Sequence, residues 1–226
     1  MNKEMNKTMH EEPLTYIKDP MGIETKSFEI IDEIIRESGR TYPAEDALTK
    51  AIYRRVIHTS ADFDYLDNLK IDQAFLDAFE KTVEMPLTLY TDTNMALSGI
   101  NKTAIGKLPW TLKCFVSDEN AKVMAKAQGI TRSMAAIQLA LEEPGLKLFV
   151  LGNAPTAIFQ LLDFHAEANP DVLGVIGVPV GFVGAAESKD ALFASSIPCI
   201  TALGRKGGSN VAAAIVNALV YHFKGR

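Results

Sequence analysis

At 226 residues, with 47% apolar and 23% charged side chains, the chain is long enough to bury a substantial core and reads as one large domain of ordinary globular composition. Its formal net charge of −5 excludes a surface that attracts nucleic acid as a whole, so an anionic ligand would need local help from arginines or helix N-termini. The two cysteines, Cys114 and Cys199, each sit in an apolar segment with no CxxC or Cys/His cluster, which points to reduced thiols of a cytoplasmic protein rather than a disulfide or a metal site.

Taken in chain order, residues 1–13 are polar and mixed in charge, lack the apolar stretch of a signal peptide, and read as an N-terminal extension to a single α/β domain over 14–226. From Thr25 to Gly39 the apolar positions Phe28, Ile30, Ile31, Ile34 and Ile35 follow helical spacing, and Gly39 stops the run. Pro43 is expected to open a second helix, with Glu45 and Asp46 in its first turn. Ala47, Leu48, Ala51, Ile52 and Val56 form its expected buried stripe, and it ends near His58. A third helix is expected from about Ile71 to Thr82, with Phe75 and Phe79 inward. Beyond it, short apolar strands are expected at Leu87–Tyr90, Thr111–Val116, Lys147–Leu151, Val172–Val178 and Cys199–Leu203. Helical stretches alternate with them at Glu119–Gln128, Ser133–Glu142, Pro155–Ala168, Ala185–Ala194 and Ser209–Phe223. That alternation implies a doubly wound domain: a mostly parallel sheet of about five strands with helices on both faces, and the leading helices as an N-terminal segment at one edge. The longest apolar run, Val172 to Ala186, is broken by Gly and Pro and is too short to span a bilayer, so no membrane partner is expected.

In such sheets ligands bind at the carboxyl ends of the strands, near helix N-termini. The loops Thr91–Asn94, Gly152–Thr156, Pro179–Ser188 and Gly204–Asn210 each combine glycine or small residues with polar groups ahead of a helix, a setting whose backbone N–H groups favour anions. The loop at Gly204 has neither the GxGxxG nor the GxxxxGK[ST] pattern; its glycines serve a tight turn or an anionic ligand, with Arg205 and Lys206 supplying charge. Arg132 stands at a helix start, where its charge opposes the dipole; it is either a solvated charge or a sign of an anion nearby. No spacing of His, Asp, Glu and Cys suits a metal, and no G-x-S-x-G elbow is present. Of the four histidines, His10 falls in the extension, His165 in a helix read as buried, and His222 near the end of the last helix. His58 alone is flanked by a helix C-terminus, hydroxyls, carboxylates and an arginine, and histidine is the side chain whose unperturbed pKa lets it give and take a proton near neutrality. Asp62 and Asp64 build the turn after that helix, orient His58 or wall its pocket.

Several segments together resemble the precorrin-8X methylmutase family of corrin biosynthesis: Tyr16–Pro20, Lys26–Ile31, Arg55–His58, Thr131–Ser133, Gly152–Ala157, the long run Gly177–Asp190, and Gly204–Ser209. The run ending at Asp190 is the most specific of them. The resemblance implies an isomerase that moves a methyl group from C11 to C12 of a contracted tetrapyrrole, (cobalt-)precorrin-8, with no added cofactor; cobalt, where present, belongs to the substrate. It puts the family's catalytic histidine on His58 and its substrate-contacting serine and arginine on Ser27 and Arg55. It also implies a cytoplasmic homodimer with active sites near the subunit boundary. Ala61–Tyr65 and Thr91–Leu97 look more like the cobalt-bearing branch than the metal-free one. The acetate and propionate arms of such a substrate need donors spread around a broad cleft, and the expected contacts are Ser27, Arg55, Arg132, Asn153, Arg205, Lys206 and Ser209, with Thr91 and Asp92 beside them. Phe182 lies either against the macrocycle or in the core under its loop. Two readings of other classes stay open: a nucleotide-dependent α/β enzyme, against which the missing fingerprint counts, and a non-catalytic tetrapyrrole carrier using the same cleft.

Overall fold

The computed structural model describes residues 18–164 and 168–226, so the extension over 1–13 and His165 lie outside the described residues. Helices α1 (Pro20–Glu37), α2 (Ala47–Ser60) and α3 (Tyr65–Asn68) lead into strand β1 (Leu69–Ile71) and helix α4 (Gln73–Thr82). The βα succession follows: β2 (Leu87–Thr91), α5 (Asn94–Gly99), α6 (Lys102–Ile105), β3 (Trp110–Lys113), α7 (Glu119–Gln128), α8 (Arg132–Glu142) and β4 (Lys147–Leu151). It ends with α9 (Pro155–Asp163), β5 (Val172–Gly177), α10 (Ala185–Ala194), β6 (Cys199–Ala202) and α11 (Ser209–Lys224).

The strands form one sheet in the order β1-β6-β5-β4-β2-β3, and every neighbouring pair is parallel except β1 with β6. β4 is buried along its whole length, as a strand covered on both faces must be. Side chains alternate across it: Leu148 and Val150 join the core formed with α2, α4 and α11, while Phe149 and Leu151 join the one formed with α8 and α9. No helix among the described residues is long and apolar enough to cross a membrane.

The doubly wound architecture is as expected, with differences at the ends of elements. The sheet has a sixth strand, β1, where the helix expected from Ile71 was to begin; Asp72 precedes α4, which starts at Gln73. Three residues are too few to display an alternation. Helix α1 opens at Pro20 rather than Thr25 because Asp19 caps it, its Oδ2 accepting from the Gly22 N–H at 2.6 Å. Of its five expected inward residues, Ile31 and Ile35 are buried and Phe28 is partly buried, while Ile30 and Ile34 are exposed. Pro43 does not open α2: Asp46 is the cap, accepting from Thr49 N–H at 2.8 Å, and the buried side is Thr49, Ile52, Tyr53, Val56 and Ile57. Thr131, not Ser133, caps α8, so Arg132 is its first residue. Strand β3 stops at Lys113 and α9 at Asp163, short of Val116 and Ala168, and the short helices α5 and α6 carried no expected pattern. Cys114 is half-buried and Cys199 buried; both are free thiols, and burial beside Asp72 pushes the Cys199 thiol well above its ordinary pKa.

Candidate active site

The order of the strands identifies the crevice where an α/β sheet ordinarily takes a ligand. The chain runs from β2 outward to β3, then returns past β2 to β4, so the loops after β2 and β4 diverge. Asp92 fills that crevice from within. Its carboxylate accepts from the backbone N–H groups of Gly152 at 3.0 Å, Asn153 at 2.7 Å and Ala154 at 2.7 Å. The anion-binding start of α9 is therefore occupied by the protein's own carboxylate. Burial pushes the Asp92 carboxyl above its ordinary pKa, against the pull of the three donors. The neighbouring loops close over it. A Cβ at Gly152 would stand 2.6 Å from the Ser209 Cα, and one at Gly207 would stand 2.1 Å from the Val178 carbonyl oxygen. These glycines serve close approach between loops. The Gly208 N–H donates to Val178 O at 2.9 Å, and the buried Ser209 hydroxyl pairs with Thr93 Oγ1 at 2.8 Å.

A second, open cleft of about 380 Å³ lies between α1, α2, α5 and α11, lined in part by Glu24, Arg55, His58, Asn210, Asn217 and Tyr221. Two rungs join α1 to α2 there. Ser27 Oγ is 2.9 Å from His58 Nδ1, and Glu24 takes both Nη atoms of Arg55 at 2.8 and 3.0 Å. Glu24 and Ser27 are three residues apart on α1, as are Arg55 and His58 on α2, so each pair shares a helix face. The Arg55 guanidinium is held between the rings of Phe28, 5.0 Å away, and Tyr221, 4.9 Å away. Phe28 also meets the His58 ring edge-on at 5.5 Å. Arg226 reaches Glu24 from the far side at 2.5 Å. The hydrogen bonds and charge of Arg55, with the charges of Arg226 and His58, hold the Glu24 carboxyl below the usual carboxylate range despite burial. Which of Ser27 Oγ and His58 Nδ1 donates follows the protonation of the ring, and Nε2 makes no hydrogen bond among the described residues.

The structure thus brings Ser27, Arg55 and His58 together and disposes of the other expected contacts differently. Asp92 and the Asn153 N–H satisfy each other, and Thr91 is buried with its hydroxyl on the Lys113 carbonyl. Ser209 is buried against Thr93. Lys206 is paired to Asp62 and Asp64. Arg205 is exposed on the glycine-rich loop. Arg132 is exposed at the head of α8, whose buried residues pack on the sheet face opposite to α2. Phe182 is 87% exposed at a loop tip, so it is not in the core. Glu24, Tyr221 and Arg226 belong to the cleft and were not singled out from sequence. The repeated three-residue spacing, Glu24 to Ser27 and Arg55 to His58, is the signal that could have found Glu24.

The family model for precorrin-8X methylmutase matches residues 22–222. The chain is 54% identical over 210 residues to the cobalt-precorrin-8 methylmutase of Salmonella typhimurium, covering 92% of this chain and 98% of that protein. It is 33% identical over 208 residues to the precorrin-8X methylmutase of Pseudomonas aeruginosa, covering 91% and 97% respectively. A solved precorrin-8X methylmutase from Thermus thermophilus superposes with a TM-score of 0.76 at 29% identity, over 88% of this chain and 96% of that one.

Proposed function

From a chain that belongs to the precorrin-8X methylmutase family, and hence is an isomerase of cobalamin biosynthesis, we propose the following reaction: transfer of a methyl group from C11 to C12 of precorrin-8, with His58 as the proton donor and acceptor. The cobalt-bearing form is the favoured substrate, because identity to the cobalt-precorrin-8 relative is 54% against 33% to the precorrin-8X one.

A 1,5-sigmatropic methyl shift is a rearrangement within one molecule. It needs neither a nucleophile nor an electron carrier, so no cofactor enters the scheme. The protein has to hold the macrocycle in one geometry and supply a proton, or a charged hydrogen bond, to the conjugated nitrogen system as the double bonds rearrange. The observation that carries this reading is the 2.9 Å contact between Ser27 and His58 Nδ1 at the wall of an open cleft. One nitrogen is held and the other is left for the substrate. His58 stands in the last turn of α2, at the carbonyl end of that helix. Arg55 and Arg226 line the cleft and share Glu24, leaving the rest of their guanidinium donors for the carboxylate arms; the exposed Arg205 and Arg132 lie outside the cleft lining and are further candidates for those arms. Assembly as a homodimer in the cytoplasm is part of the same reading.

The test is incubation of the chain with cobalt-precorrin-8 and with metal-free precorrin-8, followed by visible absorption. Wild-type protein should convert the cobalt form and change its spectrum. His58→Ala should still bind but turn over about 10²–10⁴-fold more slowly. Undiminished turnover by His58→Ala removes the histidine from the chemistry. Binding with no spectral change in the wild type would mark a carrier instead.

A further inference from the structure

Lys206 is tied to the protein at both ends. Its ammonium lies 2.6 Å from Asp62 Oδ2 and 2.6 Å from Asp64 Oδ2. Its carbonyl accepts a hydrogen bond from Nζ of Lys189, 2.7 Å away on α10, a side chain with no exposed surface. The residues around it are fixed too: Gly181 N–H donates to Arg205 O at 3.1 Å, and the Gly207 backbone lies against Val178.

The two aspartates stand in the turn that ends α2. Ala61 closes that helix in the left-handed region at φ 53°, its N–H donating to Ile57 O at 2.7 Å. Asp64 N–H then donates to Asp62 Oδ1 at 3.0 Å. His58 is in the last turn of the same helix. On the other side, the loop bearing Lys206 runs directly into α11, which supplies Asn210, Asn217 and Tyr221 to the cleft. One lysine therefore ties the end of α2 to the loop that leads into α11, and both helices line the cleft.

Resting on the methyl-shift reading of that cleft, we propose that Lys206 is a positioning residue: it fixes the end of α2, and with it His58, against the glycine-rich loop and the start of α11, and it does not grip the substrate. Two of its three ammonium donors are spent on carboxylates. The third donor is left, but a substrate carboxylate taking it would have to lie beside Asp62 and Asp64, and taking either of the other two would break an ion pair. Catalysis is sensitive to such placement, since a misfit of about 1 Å can cost on the order of 10²-fold.

The two roles predict opposite signs for removal of the aspartates. If Lys206 positions His58, then Lys206→Met and the double variant Asp62→Asn/Asp64→Asn should each lower kcat about tenfold. KM should stay within about twofold, the triple variant should be no worse than either parent, and Lys206→Arg should recover most of kcat. If Lys206 binds substrate, freeing it from the aspartates lowers KM below the wild-type value, and Lys206→Met raises KM. That pattern, or wild-type kcat in Lys206→Met, overturns the proposal. Should Lys206→Met melt too early to assay, the aspartate pair decides on its own: a fall in kcat at constant KM supports positioning, and any fall in KM or an unchanged kcat refutes it. The substrate is cobalt-precorrin-8, and wild-type turnover is measured first. An inactive wild type condemns the reaction reading, whereas an active wild type with unaffected variants condemns only the role of Lys206.

Discussion

Two regions of the molecule gather anion-binding groups, and they have opposite fates. The crevice between β2 and β4 has the topology that ordinarily marks a ligand site, yet its three converging N–H groups are consumed by Asp92 and its loops are packed glycine against backbone. The cleft between α1, α2 and α11 lies off to the side of that crevice, and its ring nitrogen, guanidinium groups and side-chain amides line open space. Topology says where a site can form; the ring nitrogen of His58 left over after internal pairing is what favours the cleft in the proposed reading. The crevice should govern stability, and the cleft should govern turnover.

The largest expected effect is in the crevice. Asp92→Ala strands three N–H donors, two of them buried, and should cost roughly 2–5 kcal/mol in urea unfolding. If instead stability held while substrate affinity collapsed, the crevice would be the binding site and the comparison would be reversed. Next comes Lys189, whose buried ammonium clips the glycine-rich loop and whose pKa is pushed down to about 8 by burial. Between that value and the ordinary lysine range near 10.4, the unfolded chain holds more protons than the folded one. Unfolding free energy should therefore climb with pH above about 8, by at most about 1.4 kcal/mol per unit from this group, and Lys189→Met should flatten the climb in urea midpoints taken from pH 7.5 to 9.5.

A smaller effect separates the cleft. Glu24→Gln should cost about 1–2 kcal/mol at neutral pH. Because the folded Glu24 carboxyl is held low, that stabilisation is present above the ordinary carboxylate range, and the gap between wild type and variant should narrow as pH falls through about 4 and close below the lowered folded value. Acid melts of the two proteins run side by side would show a constant gap if the Arg55 pairing carried no stability. The least change is expected from Arg132→Ala: about a threefold rise in KM at unchanged kcat. Two unaltered constants would move Arg132 from the rim of the site to the solvated surface.

The architecture was legible because β4, β5 and α11 are buried nearly throughout and their apolar runs say so without help from the rest of the chain. β1 was not, since three residues pairing with β6 owe their conformation to a partner some 130 positions away. Helix starts were misplaced by one to five residues: α1 opens at its Asp19–Pro20 start ahead of the apolar spacing that begins at Thr25, and in α2 and α8 Asp46 and Thr131 are the caps in place of the more conspicuous Pro43 and Ser133. His58 was singled out by its chemical surroundings, and the structure sets it beside Ser27 and Arg55 on the cleft wall. Lys206 and Asp92 read as ligand contacts because a sequence displays charges and hides their pairing; nothing local at Asp92 foretells Gly152 to Ala154, and nothing at Lys206 foretells Asp62 and Asp64.

The two rungs between α1 and α2 make the catalytic register a matter of counting. Both join residues 31 apart, so the stretch from 38 to 46 could lengthen or shorten while the partners still meet. One residue inserted between Glu24 and Ser27, or between Arg55 and His58, would swing the later partner by about 100° around its helix and unhook His58 from Ser27. Tolerance to insertion and intolerance to it should therefore alternate along this hairpin within a handful of residues, a pattern that a deletion-and-insertion scan would print directly onto growth without added corrinoid.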